Sequence, residues 1–276
     1  MKKKLAVLVA AVAALSLSML VLAGCSSDKE DTASAGFDGN LVVGFDAEYP
    51  PYGYMDEQGN YTGFDLELAQ MVCDKNGWTF SCEPIDWDAK DALLNQGNIT
   101  CIWNGFTYEG RETDYAWTDP YMLNAQVIVV KTGSNIATEA DLAGKTVVTQ
   151  ADSSALAVLE DPEACADLAA TFAGGAPQQL ADYNNAFMQL ESGLVDAVAC
   201  DYSIAAYQMA ANPGAYEQVL TLSSEHYAVG FKLGNEDLAA QVNQALIELD
   251  NEGAIEALCE KYADQGISYE NWCLGK

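Results

Sequence analysis

The chain has 276 residues, half of them hydrophobic, and sets 12 Lys+Arg against 41 Asp+Glu for a formal net charge of −29. That apolar content excludes a disordered chain, and the length suffices for a large core divided between two lobes. So acidic a surface repels phosphate backbones and anionic headgroups, which argues against nucleic acid and against a lipid docking surface. The expected partner is a small molecule or something that meets one local patch. Eight cysteines form no CxxC and His226 is the single histidine, so a structural zinc site has little support, and neither metal nor cofactor is expected.

Lys2, Lys3 and Lys4 precede an apolar run from Leu5 to Ala23 that ends in Leu22-Ala23-Gly24-Cys25. The order is that of an export signal over residues 1–24, with an uncleaved membrane helix as the alternative. Leu-Ala-Gly-Cys resembles a bacterial lipobox, which implies cleavage before Cys25, its lipidation, and an extracytoplasmic domain held at the membrane by its lipid chains alone. Removing 1–24 leaves 252 residues (276 less 24) and takes away three lysines, so the charge becomes −32 (9 basic against 41 acidic). Residues 25–39 are small, polar and charged, the composition of a flexible tether.

From Leu41 strand and helix patterns alternate. Leu41–Phe45 reads as a strand, Pro50–Gly53 and Glu57–Asn60 as turns, and Phe64 to about Asn76 as a helix. Trp87–Leu94 is a short helix, Ile99–Trp103 a strand and Tyr121–Lys131 a long strand. A second cycle follows: strand Thr146–Thr149, a helix opened by Ser153, helix Asn184–Ser192, strand Val195–Cys200 and helix Ser203–Ala211. Strand Tyr227–Phe231 and helices Glu236–Leu249 and Ala254–Tyr262 complete the pattern. Such alternation predicts an α/β fold with mostly parallel sheets, and no repeat of solenoid length is present.

Open α/β sheets bind ligands beyond the carboxyl ends of their strands. Four expected strand ends carry polar groups: Asp46 and Tyr49; Asn104 to Arg111; Gln150 to Ser154; and Asp201. Each has a local alternative, because Asp46 and Asp201 suit turn caps, Arg111 a surface ion pair and Ser153 a plain helix cap. Together they offer a cation, an anion and N–H groups at a helix start, a set that suits a zwitterion.

The strings GFDAEYPPYGY (44–54), GNYTGFDLELA (59–69), WDAKDALLNQGNI (87–99), WNGFTYEGRETDYAWTDPY (103–121), VTQADSSA (148–155) and LESGLVDAVACDYSIAAY (190–207) occur in the order in which the chain resembles the bacterial extracellular solute-binding proteins of family 3, the polar amino-acid receptors of ABC importers. The resemblance implies a Venus-flytrap fold: residues 40–124 plus 225–276 forming one α/β lobe, 125–224 the other, and two hinge strands near Asn124–Gln126 and Leu222–Glu225. It implies a monomer that captures a free amino acid and delivers it to an ABC permease and its ATPase, with no covalent chemistry.

Residue by residue, the resemblance gives Arg111 the ligand carboxylate, a task suited to the planar fork of a guanidinium. Thr107 and the backbone at Gly105 match positions that bond the amino-acid backbone. Ser153 and Ser154 match the helix-start pair that donates to the carboxylate, and Asp201 matches the partner of the α-ammonium. Trp87 covers the ligand, while Asp46, Tyr49 and Asn104 fall where side-chain selectivity is set. A polar or basic amino acid is favoured, acidic ones least. Two positions depart from the family pattern. The Thr107–Arg111 segment is one residue short of the commonest spacing, and Asp152 stands where glycine is usual, placing a negative charge beside a carboxylate site. Cys73 and Cys82 match a disulfide found in some members, with Cys259 and Cys273 a weaker pair. Gly144-Lys145-Thr146 has the end of a P-loop but precedes a strand, and a lone His226 gives no nucleophile pair. Two rivals remain: a prephenate-type dehydratase on the same scaffold, and a sensory ligand-binding module.

Overall fold

The computed structural model of the protein describes residues 36–276. The export segment 1–24, Cys25 and the tether as far as residue 35 lie outside the described residues. The short apolar run in Asn40–Phe45 makes β1, which is followed by a small antiparallel sheet of β2 (Glu48–Tyr49), β3 (Gly53–Met55) and β4 (Tyr61–Thr62). Helix α1 (Phe64–Asn76) buries Phe64, Leu68 and Val72 completely at an i, i+4, i+8 spacing that puts them on one face. Each such side chain contributes about 1.5–3 kcal/mol of burial. Gly77 ends the helix at φ 70°, its N–H bonding the Cys73 carbonyl, the conformation glycine adopts without steric cost.

Then come β5 (Thr79–Pro84), a 3₁₀ turn at Trp87–Ala89 leading into α2 (Lys90–Gln96), β6 (Cys101–Ile102), β7 (Ala116–Trp117) and β8 (Met122–Lys131). The second half holds β9 (Val147–Gln150), α3 (Ser154–Glu160), α4 (Ala166–Ala169), β10 (Gln178–Leu180), α5 (Tyr183–Ser192), β11 (Ala197–Asp201), α6 (Tyr202–Ala211) and β12 (Tyr216–Tyr227). The chain closes with β13 (Gly230–Phe231), α7 (Glu236–Asn251) and α8 (Ala254–Lys261).

Two five-stranded sheets result, ordered β5-β1-β6-β13-β7 and β10-β9-β11-β8-β12. They share one plan. Three strands at one side are parallel, β5-β1-β6 and β10-β9-β11, and the remaining two add antiparallel. The fold is therefore the expected two-lobed α/β architecture, with half of each sheet's pairings antiparallel rather than mostly parallel. The expected strand Tyr227–Phe231 is broken: Tyr227 ends β12 and Gly230 begins β13 in the other sheet. Strands β8 and β12 pair antiparallel from Tyr216↔Lys131 to Tyr227↔Met122. Irregular register near Val219 and Leu222 marks β-bulges, which bend a strand locally.

Cys73 and Cys82 are free thiols, which overturns the expected pairing, and Cys259 and Cys273 are free as well. Cys73 is fully buried on α1 and its burial pushes the thiol up to about 12. A thiol held so firmly in its protonated form is a poor nucleophile for exchange.

Gly63, which precedes α1 at φ 138°, lies directly under the Tyr52 carbonyl, where a Cβ would collide with the backbone. Gly63→Ala is therefore expected to destabilise the protein by about 2 kcal/mol or more, through steric clash and a disfavoured φ together. Chemical denaturation checks this, and a variant as stable as the wild type contradicts the packing described.

Candidate functional site

The four expected strand ends do converge. Asp46 follows β1, Asn104 follows β6, Gln150 ends β9 and Asp201 ends β11, and all four are buried. A cleft lined by Tyr49, Trp87, Gly105, Thr107, Arg111, Gln150, Ser153, Ser154 and Asp201 lies between residues carried by the two large sheets. All ten expected ligand residues lie in or beside it.

Its densest feature is a pair of buried carboxylates. Asp201 Oδ1 accepts from Asn124 Nδ2 (2.9 Å), Gln126 Nε2 (2.7 Å) and the Tyr227 hydroxyl (3.1 Å). Glu225 Oε1 accepts from the same two amides, at 2.7 and 2.8 Å, and from Thr107 Oγ1 at 2.8 Å. Ser154 Oγ donates to Glu225 Oε2 at 2.8 Å. Two carboxylates therefore share two donors, with no Lys or Arg paired to either among the described residues. Burial, then the nearby Asp201 charge, pushes Glu225 up to about 7, and burial raises Asp201 too.

Register explains the arrangement. Asn124 faces Glu225 and Gln126 faces Ser223 across β8 and β12, while Gln126 faces Asp201 across β8 and β11. Residues 124 and 126 share a face of β8, so both amides reach one spot.

Arg111 is held by carbonyls: Nη1 donates to Thr107 O (3.3 Å) and Nη2 to Asp152 O (3.4 Å), with the guanidinium 5.2 Å from the Phe106 ring centre. It forms no ion pair among the described residues, so its charge is available to an anion. Ser153 takes the helix-cap role: its Oγ accepts from Leu156 N (3.2 Å) and lies 3.2 Å from Thr149 Oγ1. Trp87 stands edge-on to Phe106 and donates Nε1–H to Asp152 O at 3.2 Å.

Asp46 Oδ2 accepts from Gln150 Nε2 (2.6 Å), Oδ1 accepts from Glu48 N (2.8 Å), and the Asp46 N–H donates to Asn104 Oδ1. Burial outweighs these bonds and raises the Asp46 carboxyl to about 6. Asn104 Nδ2 is buried with no partner among the described residues. Outward of Asp46 lies a wider cavity of about 550 Å³, lined by Glu48, Asp86, Asp88 and Asp182 as well as Trp87, and by no Lys or Arg. Beneath the site, Asp65 accepts from Gly105 N (2.6 Å) and the Tyr121 hydroxyl (2.8 Å), pinning Gly105 at φ 56°.

Sequence reasoning missed that Glu225, Asn124 and Gln126, which it gave to a hinge, meet Asp201 in the cleft, and it missed Lys90 and Tyr227. The signal available was Asn124-Ala125-Gln126: two amides on one strand face immediately before the apolar run Val127–Val130. Asp152 turns its carboxylate to Lys90, so the charge that departs from the family pattern is neutralised. His226 binds Glu109 through both its ring and its backbone N–H. Gly144 leads into β9, as a strand rather than a phosphate loop.

A two-lobed fold with a polar cleft between the sheets is that of a solute-binding protein. The description "Bacterial extracellular solute-binding proteins, family 3" matches residues 41–265, and the chain belongs to that family. It is 26% identical to a probable histidine-binding protein of Neisseria gonorrhoeae, over 91% of this chain and 93% of that one. It is 28% identical to the L-cystine-binding protein TcyJ of Escherichia coli K12, over 81% and 82%. Among solved structures, an ABC uptake transporter substrate-binding protein from Streptococcus pneumoniae with bound histidine superposes at a TM-score of 0.78. That protein is 32% identical, over 84% of this chain and 95% of that one.

Asp46, Asp65 and Glu225 all titrate above the ordinary carboxylate range, so the folded protein holds protons that the unfolded chain releases. Their contribution to stability is full below about pH 4 and is lost as pH rises through 6 to 7. The unfolding midpoint of the ligand-free protein should fall between pH 5 and pH 8, and Asp65→Asn and Glu225→Gln should each flatten the fall. A midpoint that climbs over this range contradicts the assignment.

Proposed function

We propose that the protein is an extracytoplasmic receptor, lipid-anchored through Cys25, that captures a free amino acid between its lobes and delivers it to an ABC permease. The observation that carries this reading is the separation of charge in the cleft: an unpaired guanidinium at Arg111 and an unpaired acidic pair at Asp201 and Glu225. A zwitterion satisfies both at once. Its carboxylate takes the two-pronged donor of Arg111, and its ammonium takes the carboxylates and exchanges the proton they hold. Thr107 and Ser154, whose hydroxyls contact Glu225, lie where they can turn to the ligand. Trp87 covers it.

A side chain leaving this centre toward Asp46 meets Asn104, Gln150 and then the acidic outer cavity. Five carboxylates there, with no Lys or Arg on its walls, favour a polar or basic amino acid over an acidic one. The lobes of this reading are residues 40–124 with 225–276, and 125–224. Its hinges lie at Asn124–Gln126 and Leu222–Glu225, which the bulge at Leu222 supports. Closure removes water from the ion pairs and strengthens them, so ligand favours the closed form, and the closed form is what the permease meets.

Thermal unfolding of residues 25–276, refolded free of ligand and mixed with each amino acid singly, tests the reading. At about 100 times its Kd a ligand adds roughly 2.7 kcal/mol, or about 5–10 °C for a domain of this size. Lys, Arg, His or Gln should produce the shift, and Asp and Glu should not. Arg111→Ala should abolish it. A shift with acidic amino acids alone, or an undiminished shift in the variant, overturns the proposal.

A further inference from the structure

A second charged contact between the two halves of the cleft lies outside the ligand cavity. Lys90, the first residue of α2, is 2% exposed, a degree of burial that lysine tolerates only when paired. Its one ion-pair partner among the described residues is Asp152, in the loop between β9 and α3 of the other sheet. The ammonium also donates to the Trp87 carbonyl (3.4 Å) and lies 5.1 Å from the Trp87 ring centre.

Asp152 is unusual in its own right. Its φ of 56° is a conformation that glycine adopts without strain and most residues avoid. Two ligand-cleft residues from the first half close on its carbonyl: Trp87 through Nε1–H and Arg111 through Nη2. Asp152 thus receives three bonds from across the cleft, one on its carboxylate and two on its carbonyl.

We propose that Lys90 and Asp152 form a closure latch, an ion pair made only when the lobes meet, which holds the Asp152 carbonyl where it orients Arg111 and Trp87. Opening the lobes parts the ammonium from its counter-ion, so the pair favours the closed form whichever ligand is present. Asp152 acts through Arg111 and is a positioning residue. The proposal builds on the amino-acid reading for its effect on affinity, but not for its effect on closure.

The neighbouring charged groups are Asp91 and Asp114 on the first half and Glu160 on α3, which with Arg111, Lys90 and Asp152 line one surface recess. Asp91 accepts from the Tyr115 hydroxyl. Neither aspartate is paired with Lys90 among the described residues, so each leaves Asp152 its role.

The discriminating variant is Asp152→Gly. It relieves the backbone and keeps the carbonyl that Trp87 and Arg111 bind, so it removes the carboxylate alone. If that charge merely repelled a ligand carboxylate, the variant would bind more tightly. A latch requires the reverse. Small-angle X-ray scattering on ligand-free wild type, Lys90→Met, Asp152→Gly and the double variant should show the wild type most compact. The two single variants should be equally expanded, and the double no further expanded than either. Added salt should expand the wild type toward the variants. With L-arginine as the probe, dissociation from either single variant should be faster by about tenfold, the scale of a partly exposed ion pair with one buried member. An Asp152→Gly protein as compact as the wild type, or one that holds L-arginine longer, overturns the latch. Failure of the wild type to bind L-arginine or any other amino acid defeats the amino-acid reading, and the scattering comparison still decides the latch.

Discussion

Two buried carboxylates that share a pair of amide donors are the constraint around which this molecule is arranged. Asp201 and Glu225 sit at the end of β11 and near the end of β12, and Asn124 and Gln126 of β8 reach both. Bringing two negative groups together away from water is costly, and amide dipoles offset only part of the repulsion. Burial first, and then the Asp201 charge, raises the Glu225 carboxyl to about 7, so that it keeps its proton into the neutral range. Under the proposed reading a ligand ammonium does the same task better, and that difference is the driving force for capture. Several other features of the cleft meet at this centre: strand register places the amides, Thr107 and Ser154 bond Glu225 from two directions, and Arg111 supplies the opposite charge.

Much of this was legible in the sequence, because the information was local. Short apolar runs located β1, β6, β8, β9 and β11, and polar residues immediately after four of them located the cleft, since a strand end is where a side chain leaves the sheet. α1 was legible from its spacing and from the glycine that stops it. Strand β12 was not. Its sequence YEQVLTLSSEHY carries polar residues on both faces, as an edge strand can, and so lacks the apolar period that reveals a central strand. Missing β12 hid the role of Glu225, whose importance comes from facing Asn124 across a ladder that joins residues 101 positions apart. The disulfide expected from the resemblance is absent from the structure, where Cys73 and Cys82 are free thiols: a spacing match in sequence carries no geometry.

Asp152 illustrates how a departure from a family pattern acquires meaning only in three dimensions. In the sequence it is a negative charge beside an anion site and reads as a defect. In the structure it faces Lys90, whose burial makes a partner necessary, while its carbonyl meets Arg111 and Trp87. The acidic outer cavity has the same character. Its five carboxylates come from three separate stretches of chain, so part of the net charge of −29 is gathered in one place only once the fold assembles them.

The central claim, that a ligand ammonium displaces a proton carried by the Asp201 and Glu225 pair, is tested most directly by titration calorimetry near pH 7 with L-arginine in two buffers of different ionisation enthalpy. The account predicts net proton release on binding, seen as a heat that changes with the buffer, and an affinity that rises from pH 5.5 to pH 8. It predicts that Glu225→Gln weakens both effects. A binding heat independent of buffer, or an affinity that falls over that range, contradicts it.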